Sequence, residues 1–324
     1  MCARLQWDRS GPGRRGAGAG RAGNLACQLT FLLPGDVQVN LADIAPAPVA
    51  PVREGSAYHR IDLAHPTALD ELIRATQPAV IFHFGSLLSG STEAHPALGW
   101  EINVNATRRL FDSALAHGVR TVMFPSSLAV HGGKVPDPLP EDHAEWPEGL
   151  YGVTKITAER LGHYYRAKHG LDFRCVRLPV IISPFAPAGA ASAYASRVFV
   201  ECARNGRFTF RVPADMRVST MYVADALRAF LLCLAADPAR LSRRVYNLHA
   251  ISPSAAELAA AACARFPGAA IDFQPDLEVS ALIGGWPNVI EDASARADWD
   301  WQPAWDLDQL AMDMETRLRE IPPS

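Results

Sequence analysis

Along most of the chain, short apolar runs alternate with stretches whose apolar positions recur every three to four residues. The runs at 37–44, 79–84, 120–124, 173–182 and 245–248 have the length and β-branched or aromatic content of buried strands. Between them, 67–76, 99–117, 152–169 and 223–235 carry the one-sided apolar pattern of helices packed on a sheet. Strand and helix in strict alternation predict an α/β chain with a doubly wound parallel sheet, a Rossmann-type arrangement. After Ser183 the prolines and small residues multiply and the elements shorten. The expected division is therefore a dinucleotide-binding domain over 1–182, to which 216–250 returns, and a smaller, mainly substrate-binding region over 183–324.

Composition changes this picture only by exclusion. The 324 residues have a formal net charge of -3, so no basic face is implied for nucleic acid or an anionic membrane. No apolar run approaches the roughly 18 residues needed to cross a bilayer. The first 23 residues are rich in Arg and Gly, without the apolar core of a secretory signal. A cytoplasmic protein acting on a small molecule is the expectation. The six cysteines stand singly, with no CxxC pair and no histidine at zinc-ligand spacing. They read as buried free thiols, and no metal is expected.

Candidate chemistry begins at Tyr151-Gly-Val-Thr-Lys155, where a phenol and an ammonium four residues apart at a helix start share one face. A neighbouring cation favours phenolate and is expected to lower the Tyr151 pKa, making the pair a proton carrier; an ordinary surface pair has the same spacing. Ser127, in the turn after the 120–124 strand, is placed to hydrogen-bond a substrate oxygen. Gly18, Gly20 and Gly23 form a GxGxxG, and Asp43 follows Gly23 by twenty residues at the end of a strand, where a carboxylate accepts from ribose hydroxyls. An acid there favours NAD over NADP. The preceding stretch, 10–15, is polar and contains proline, so the first strand is either replaced by 2–7 or has diverged.

The combination Val80-Ile-Phe-His83, Asn103-Val-Asn105-Ala-Thr107, Pro125-Ser-Ser127-Leu-Ala-Val-His131-Gly132 and Tyr151-Gly-Val-Thr-Lys155 resembles the extended short-chain dehydrogenase/reductase family, also called the NAD-dependent epimerase/dehydratase family. The resemblance implies a catalytic Ser127, Tyr151 and Lys155, with Lys155 also on the nicotinamide ribose and Asn103 as a structural helix residue. It further implies Asp62 and Leu63 at the adenine, Phe84 and Gly85 beside the pyrophosphate, Ile181 near the nicotinamide, and a homodimer. Stretches such as Met221-Tyr-Val-Ala-Asp225 and Ser294-Ala-Arg296-Ala-Asp-Trp299-Asp-Trp301 are most similar to the short-chain type of L-threonine 3-dehydrogenase. Ser89-Gly-Ser-Thr-Glu93 and Ala190-Ala-Ser-Ala-Tyr194 look more like D-erythronate dehydrogenase. The implied reaction is oxidation of a secondary hydroxyl on a small hydroxy acid, with Ser89, Ser127, Ser192 and Tyr194 as substrate ligands. Ala191-Ser192-Ala193 lacks the acid that the threonine enzymes carry there, and Val180 replaces a glycine. Two alternatives share these residues: a nucleotide-sugar epimerase or dehydratase, and a catalytically silent NAD-binding protein. His83, His131 and His143 are expected to pack or to face solvent, and Trp299 and Trp301 to lie in the core.

Overall fold

The computed structural model describes residues 15–19, 23–186 and 191–321. Its main sheet has seven strands: β1 (Arg15–Ala19), β2 (Gln38–Asp43), β3 (Ala57–Arg60), β4 (Val80–Phe82), β5 (Thr121–Ser127), β6 (Asp172–Leu178) and β10 (Val245–Asn247). Their order is β10-β6-β5-β4-β1-β2-β3, with β1 parallel to both β2 and β4. The chain runs outward from β1 to β2 and β3, then crosses back to β4, so the order reverses between β1 and β4. Ligands bind at such a reversal, beyond the carboxyl ends of the strands. Three shorter strands, β7 (Val180–Ile182), β8 (Arg207–Phe210) and β9 (Thr220–Tyr222), together with β11 (Ala270–Phe273), form two further pairs, β7 with β9 and β8 with β11.

The first strand answers the question left open by the polar N-terminus. It lies at Arg15–Ala19, the glycine-rich stretch itself, in register with Gln38–Ala42. Residues 2–7, the alternative first strand, lie outside the described residues. The run read as one strand over 173–182 is two, β6 and β7, interrupted at Pro179. Proline has no N–H for the ladder, and the chain leaves the main sheet there to pair with β9.

Eight helices matter below: α1 (Gly23–Leu29), α2 (Ala68–Thr76), α3 (Ser89–Ala94), α4 (Pro96–Trp100), α5 (Ala106–Ala116), α6 (Leu150–His169), α7 (Tyr194–Asn205) and α8 (Val223–Ala235). The apolar stripe of α2 falls on Leu69, Leu72 and Ile73, all buried, and α5 buries Ala106, Leu110, Phe111 and Ala114 in the same way. These side chains join Ile81, Val122, Phe124, Phe173 and Cys175 of the strands in one core. The single helix expected over 99–117 is instead α4, one π-turn over Glu101–Asn105, and α5. α6 presses onto the sheet at Gly162, where a Cβ would lie 2.4 Å from the Phe173 ring. A Gly162→Ala change has no room.

The chain divides into two compact units. The first holds the described residues up to Val130, with Gly149–Val176 and Ala229–Val245; the second holds His131–Glu148, Arg177–Arg228 and the residues from Tyr246 onward. In the second, Asp225 is fully buried and accepts from the N–H groups of Ala304 and Trp305 and from Arg228, so this resemblance-bearing acid is structural. Trp299 and Trp301 are core residues, as their apolar setting suggested. Cys27, Cys175, Cys202 and Cys233 are buried free thiols; Cys263 departs from the expectation by being exposed, and Cys2 is outside the described residues.

Candidate active site

The first unit brings its chemistry-bearing residues to the carboxyl ends of β1, β2, β4 and β5. Gly18 lies in β1 and Gly23 opens α1, so the glycine motif spans a strand end and a helix start, the setting that phosphate binding requires. Gly20, between them, is outside the described residues. Asp43 is the last residue of β2. It is buried; Oδ1 accepts from the Ala45 N–H at 3.0 Å, while Oδ2 has no partner among the described residues. A buried carboxylate oxygen without a donor is costly to leave so and fits the hydroxyls of a ribose. Leu63 is buried and its carbonyl is held by Arg109 at 2.8 Å, whereas Asp62 is exposed and accepts from the Ala64 N–H. Phe84 and Gly85 follow β4, both buried, with the Phe84 ring edge-on to Phe230 of α8.

Tyr151 and Lys155 point the same way from the first turns of α6. Lys155 is buried; its Nζ donates to the Pro125 carbonyl at 3.0 Å and sits 4.8 Å from the Phe124 ring centroid and 5.5 Å from that of Tyr151. Ser127 ends the strand that carries Pro125, and its Oγ accepts from the Ala129 N–H at 3.2 Å. One expectation is overturned. The Tyr151 phenol is pushed well above its ordinary value by burial, not drawn down by Lys155. Burial lowers Lys155 itself to about 8, opposed in part by Cys175 and by Glu159 one turn along α6. The ammonium lies against the ring and bonds a backbone carbonyl, so in these surroundings desolvation outweighs its attraction for a phenolate.

Asn103 sits in the π-turn, a helix irregularity common at functional sites. Its Oδ1 accepts from the Leu87 N–H at 2.7 Å, and its Nδ2 donates to the Leu87 carbonyl at 3.0 Å and to Thr154 Oγ1 at 3.1 Å. This is the structural asparagine the resemblance implied. His83 is fully buried beside it, with Nε2 2.9 Å from Thr107 Oγ1. Thr107 spends its own proton on the Asn103 carbonyl, so Nε2 carries the imidazole proton.

In the second unit, Ile181 lies in β7 and its carbonyl accepts from Ser196 Oγ at 3.2 Å. Ser192 occupies a 3-10 turn over Ala191–Ala193, and Tyr194 starts α7. The Tyr194 hydroxyl is buried with no partner among the described residues, its pKa pushed up to about 12 by that burial. His131 is buried against Arg177, whose NH1 approaches Nε2 at 3.3 Å and whose NH2 donates to Glu145 at 2.5 Å. Ser89, in the first unit, is exposed at the start of α3.

Burial lowers His83 to about 3 and, with help from Arg177, His131 to about 4. Both are neutral in the folded protein and ordinary in the unfolded chain. Below about pH 6.5 the unfolded state therefore binds more protons, and stability is lost as pH falls toward those values. By about pH 4.5 His83 alone should cost about 3 kcal/mol. Urea midpoints measured between neutral and acid pH should converge markedly for His83→Gln, which keeps a donor for Thr107; an unchanged acid slope would remove His83 from the account.

Comparison with known proteins follows the same lines. The family described as NAD dependent epimerase/dehydratase matches residues 30–248. Mitochondrial L-threonine 3-dehydrogenase of Bos taurus is 36% identical over 248 residues, 76% of this chain and 66% of its own length, so the alignment spans just under two thirds of that relative. The Sus scrofa protein of the same name is 34% identical over 300 residues, 91% of this chain and 80% of its own. Among solved structures, an L-threonine dehydrogenase from Clostridium difficile superposes with a TM-score of 0.87 at 28% identity, covering 95% of this chain and 98% of that one. The holo form of a GalE-like L-threonine dehydrogenase from Cupriavidus necator gives 0.86 at 28% identity, with 94% and 99% covered. The strand order that reverses beside the glycine-rich β1, the bare Asp43 oxygen and the Tyr151–Lys155 face thus have their counterpart in ancestry: this chain belongs to the NAD dependent epimerase/dehydratase family.

Proposed function

We propose that the protein is an NAD-dependent oxidoreductase that oxidises the secondary hydroxyl of a small hydroxy acid, threonine-like or erythronate-like. The observation that carries this reading is the buried Lys155 ammonium held against the Tyr151 ring by the Pro125 carbonyl. In it, Tyr151 takes the hydroxyl proton, Lys155 opposes with its charge the rise that burial imposes on the phenol and holds the nicotinamide ribose, and Ser127 orients the substrate oxygen. NAD held there would supply the acceptor for the hydride of the substrate carbon. Asp43 accepts from the adenosine ribose hydroxyls and its charge opposes a 2'-phosphate; Gly18, Gly20 and Gly23 admit the pyrophosphate beside Phe84 and Gly85, and Asp62 with Leu63 borders the adenine. Ile181 is assigned to the nicotinamide, and Ser89, Ser192 and Tyr194 to the substrate. Tyr194 offers a buried hydroxyl in want of a partner.

Two coarser features complete the proposal. The proposed location is the cytoplasm, where the thiols stay reduced: the described cysteines form no disulfide, and among the described residues no helix is long and apolar enough to cross a membrane. Exposed Leu98 and Trp100 on α4 and Tyr164 on α6 support pairing of two copies through these helices. The test is incubation with NAD and a panel of threonine, erythronate and related acids, with NADP in parallel. Reduced cofactor should accumulate with NAD and far more slowly with NADP, in a protein of doubled mass. No turnover across the panel would sink the reading, and tightly retained cofactor without release of its reduced form would turn it toward an epimerase.

A further inference from the structure

The helix that carries Tyr151 begins without a cap of its own. Its N-cap residue is Gly149, which has no side chain to accept the free N–H groups of the first turn. The acceptor arrives from another element: the Glu93 carboxylate, on α3, accepts from the Leu150 N–H at 2.6 Å. A Cβ on Gly149 would stand 3.1 Å from the same Glu93 oxygen. The bare glycine is what lets the carboxylate reach the helix end, where the helix dipole also favours a negative charge.

A second tie joins the same two segments. Thr154 Oγ1 donates to the Tyr151 carbonyl at 2.8 Å and receives Asn103 Nδ2, while Asn103 grips both polar groups of the Leu87 backbone. Between these anchors the 87–93 segment is braced by the buried Thr92, whose hydroxyl reaches the Leu88 carbonyl at 2.9 Å. The segment therefore holds α6 on both sides of Tyr151, at the N–H of the residue before it and, through Thr154, at its own carbonyl. Ser89 lies inside that segment with its side chain exposed.

We propose that Glu93 is a positioning residue: it fixes the height of the first turn of α6, and so of the Tyr151 phenol. The inference rests on the reading of Tyr151 as the proton carrier. Neither Glu93 nor Gly149 belongs to the residues assigned to cofactor.

Three variants of the full chain test it. Glu93→Ala should lower kcat about tenfold, the scale of a lost cap expressed in rate, with KM for NAD unchanged. Glu93→Gln keeps an oxygen for the Leu150 N–H and should recover most of the loss. In Glu93→Ala/Gly149→Ser the new serine meets no described neighbour once the carboxylate is gone and caps the helix locally, so the unfolding midpoint should return while kcat stays low. An unchanged kcat in Glu93→Ala, or full recovery of kcat in the double variant, overturns the proposal. Hydrogen exchange at the Leu150 and Tyr151 amides is read without any substrate. Faster exchange in Glu93→Ala supports the tie and unchanged exchange overturns it, even if the wild-type protein turns over nothing on the panel and the functional reading fails.

Discussion

Tyr151→Phe should lose turnover by about 10³-fold while NAD affinity changes by less than about threefold. The substitution deletes one oxygen and leaves the ring, which keeps its place against Lys155 Nζ and its packing in the first turn of α6. His83, which follows β4, is fully buried, neutral and bonded inward to Thr107 and through it to Asn103. A proton handed to His83 would travel into the core and stop. Steady-state rates with the best acid of the panel, together with NAD titration, measure both quantities. A Phe variant that keeps more than about a tenth of wild-type turnover would remove Tyr151 from the chemistry, and with it the proposed mechanism. A parallel fall in the unfolding midpoint would point to lost packing instead.

How far the sequence could be read depended on the range of the interaction involved. The stripe of α2 and the full extent of α8 follow from apolar spacing, because a helix on a sheet must bury one face. The Tyr151 and Lys155 pairing was equally local, since one turn of helix brings the two together whatever surrounds it. β1 was harder to see because alanine and glycine give no apolar pattern; what makes 15–19 a strand is pairing with β2 and β4 on both sides. Proline 179 was visible, but its effect of sending the chain to β9 depends on a partner forty residues on. Spacing implies a lowered Tyr151 pKa and the structure raises it, because spacing reports a neighbour and not the dryness of the surroundings, and here burial dominates. In the sequence Glu93 stands only within a resemblance-bearing stretch. The signal that exposes its role is a helix start at Gly149 with no Ser, Thr, Asp or Asn to cap it, which asks for an acceptor from elsewhere.

Lys155→Met should lower turnover by about 10²- to 10³-fold and weaken NAD binding as well, which separates it from the Tyr151 variant. Methionine fills the same space beside Phe124 but cannot donate to the Pro125 carbonyl or to a ribose. Stability should move the other way. Burial holds the folded-state Lys155 near 8, below its ordinary 10.5, so at neutral pH the fold carries the cost of a partly desolvated ammonium. That cost is present in full below about pH 8 and is relieved as pH rises from there toward 10.5, where the unfolded chain still binds the proton that the folded one has lost. The Met variant should therefore be more stable than wild type at pH 7 by about 1–3 kcal/mol, with the gap closing at alkaline pH. Activity gives an independent reading of the same group, because kcat/KM follows the ionisations of the free enzyme. The wild type should show an alkaline limb near pH 8 as Lys155 loses its charge, and the residual activity of the Met variant should lack it. Arginine should not rescue, since a planar guanidinium cannot occupy the point between the Phe124 face and the Pro125 carbonyl. If the Met variant proves less stable at pH 7 and retains the alkaline limb, the charge at Lys155 is neither costly to the fold nor used by the reaction.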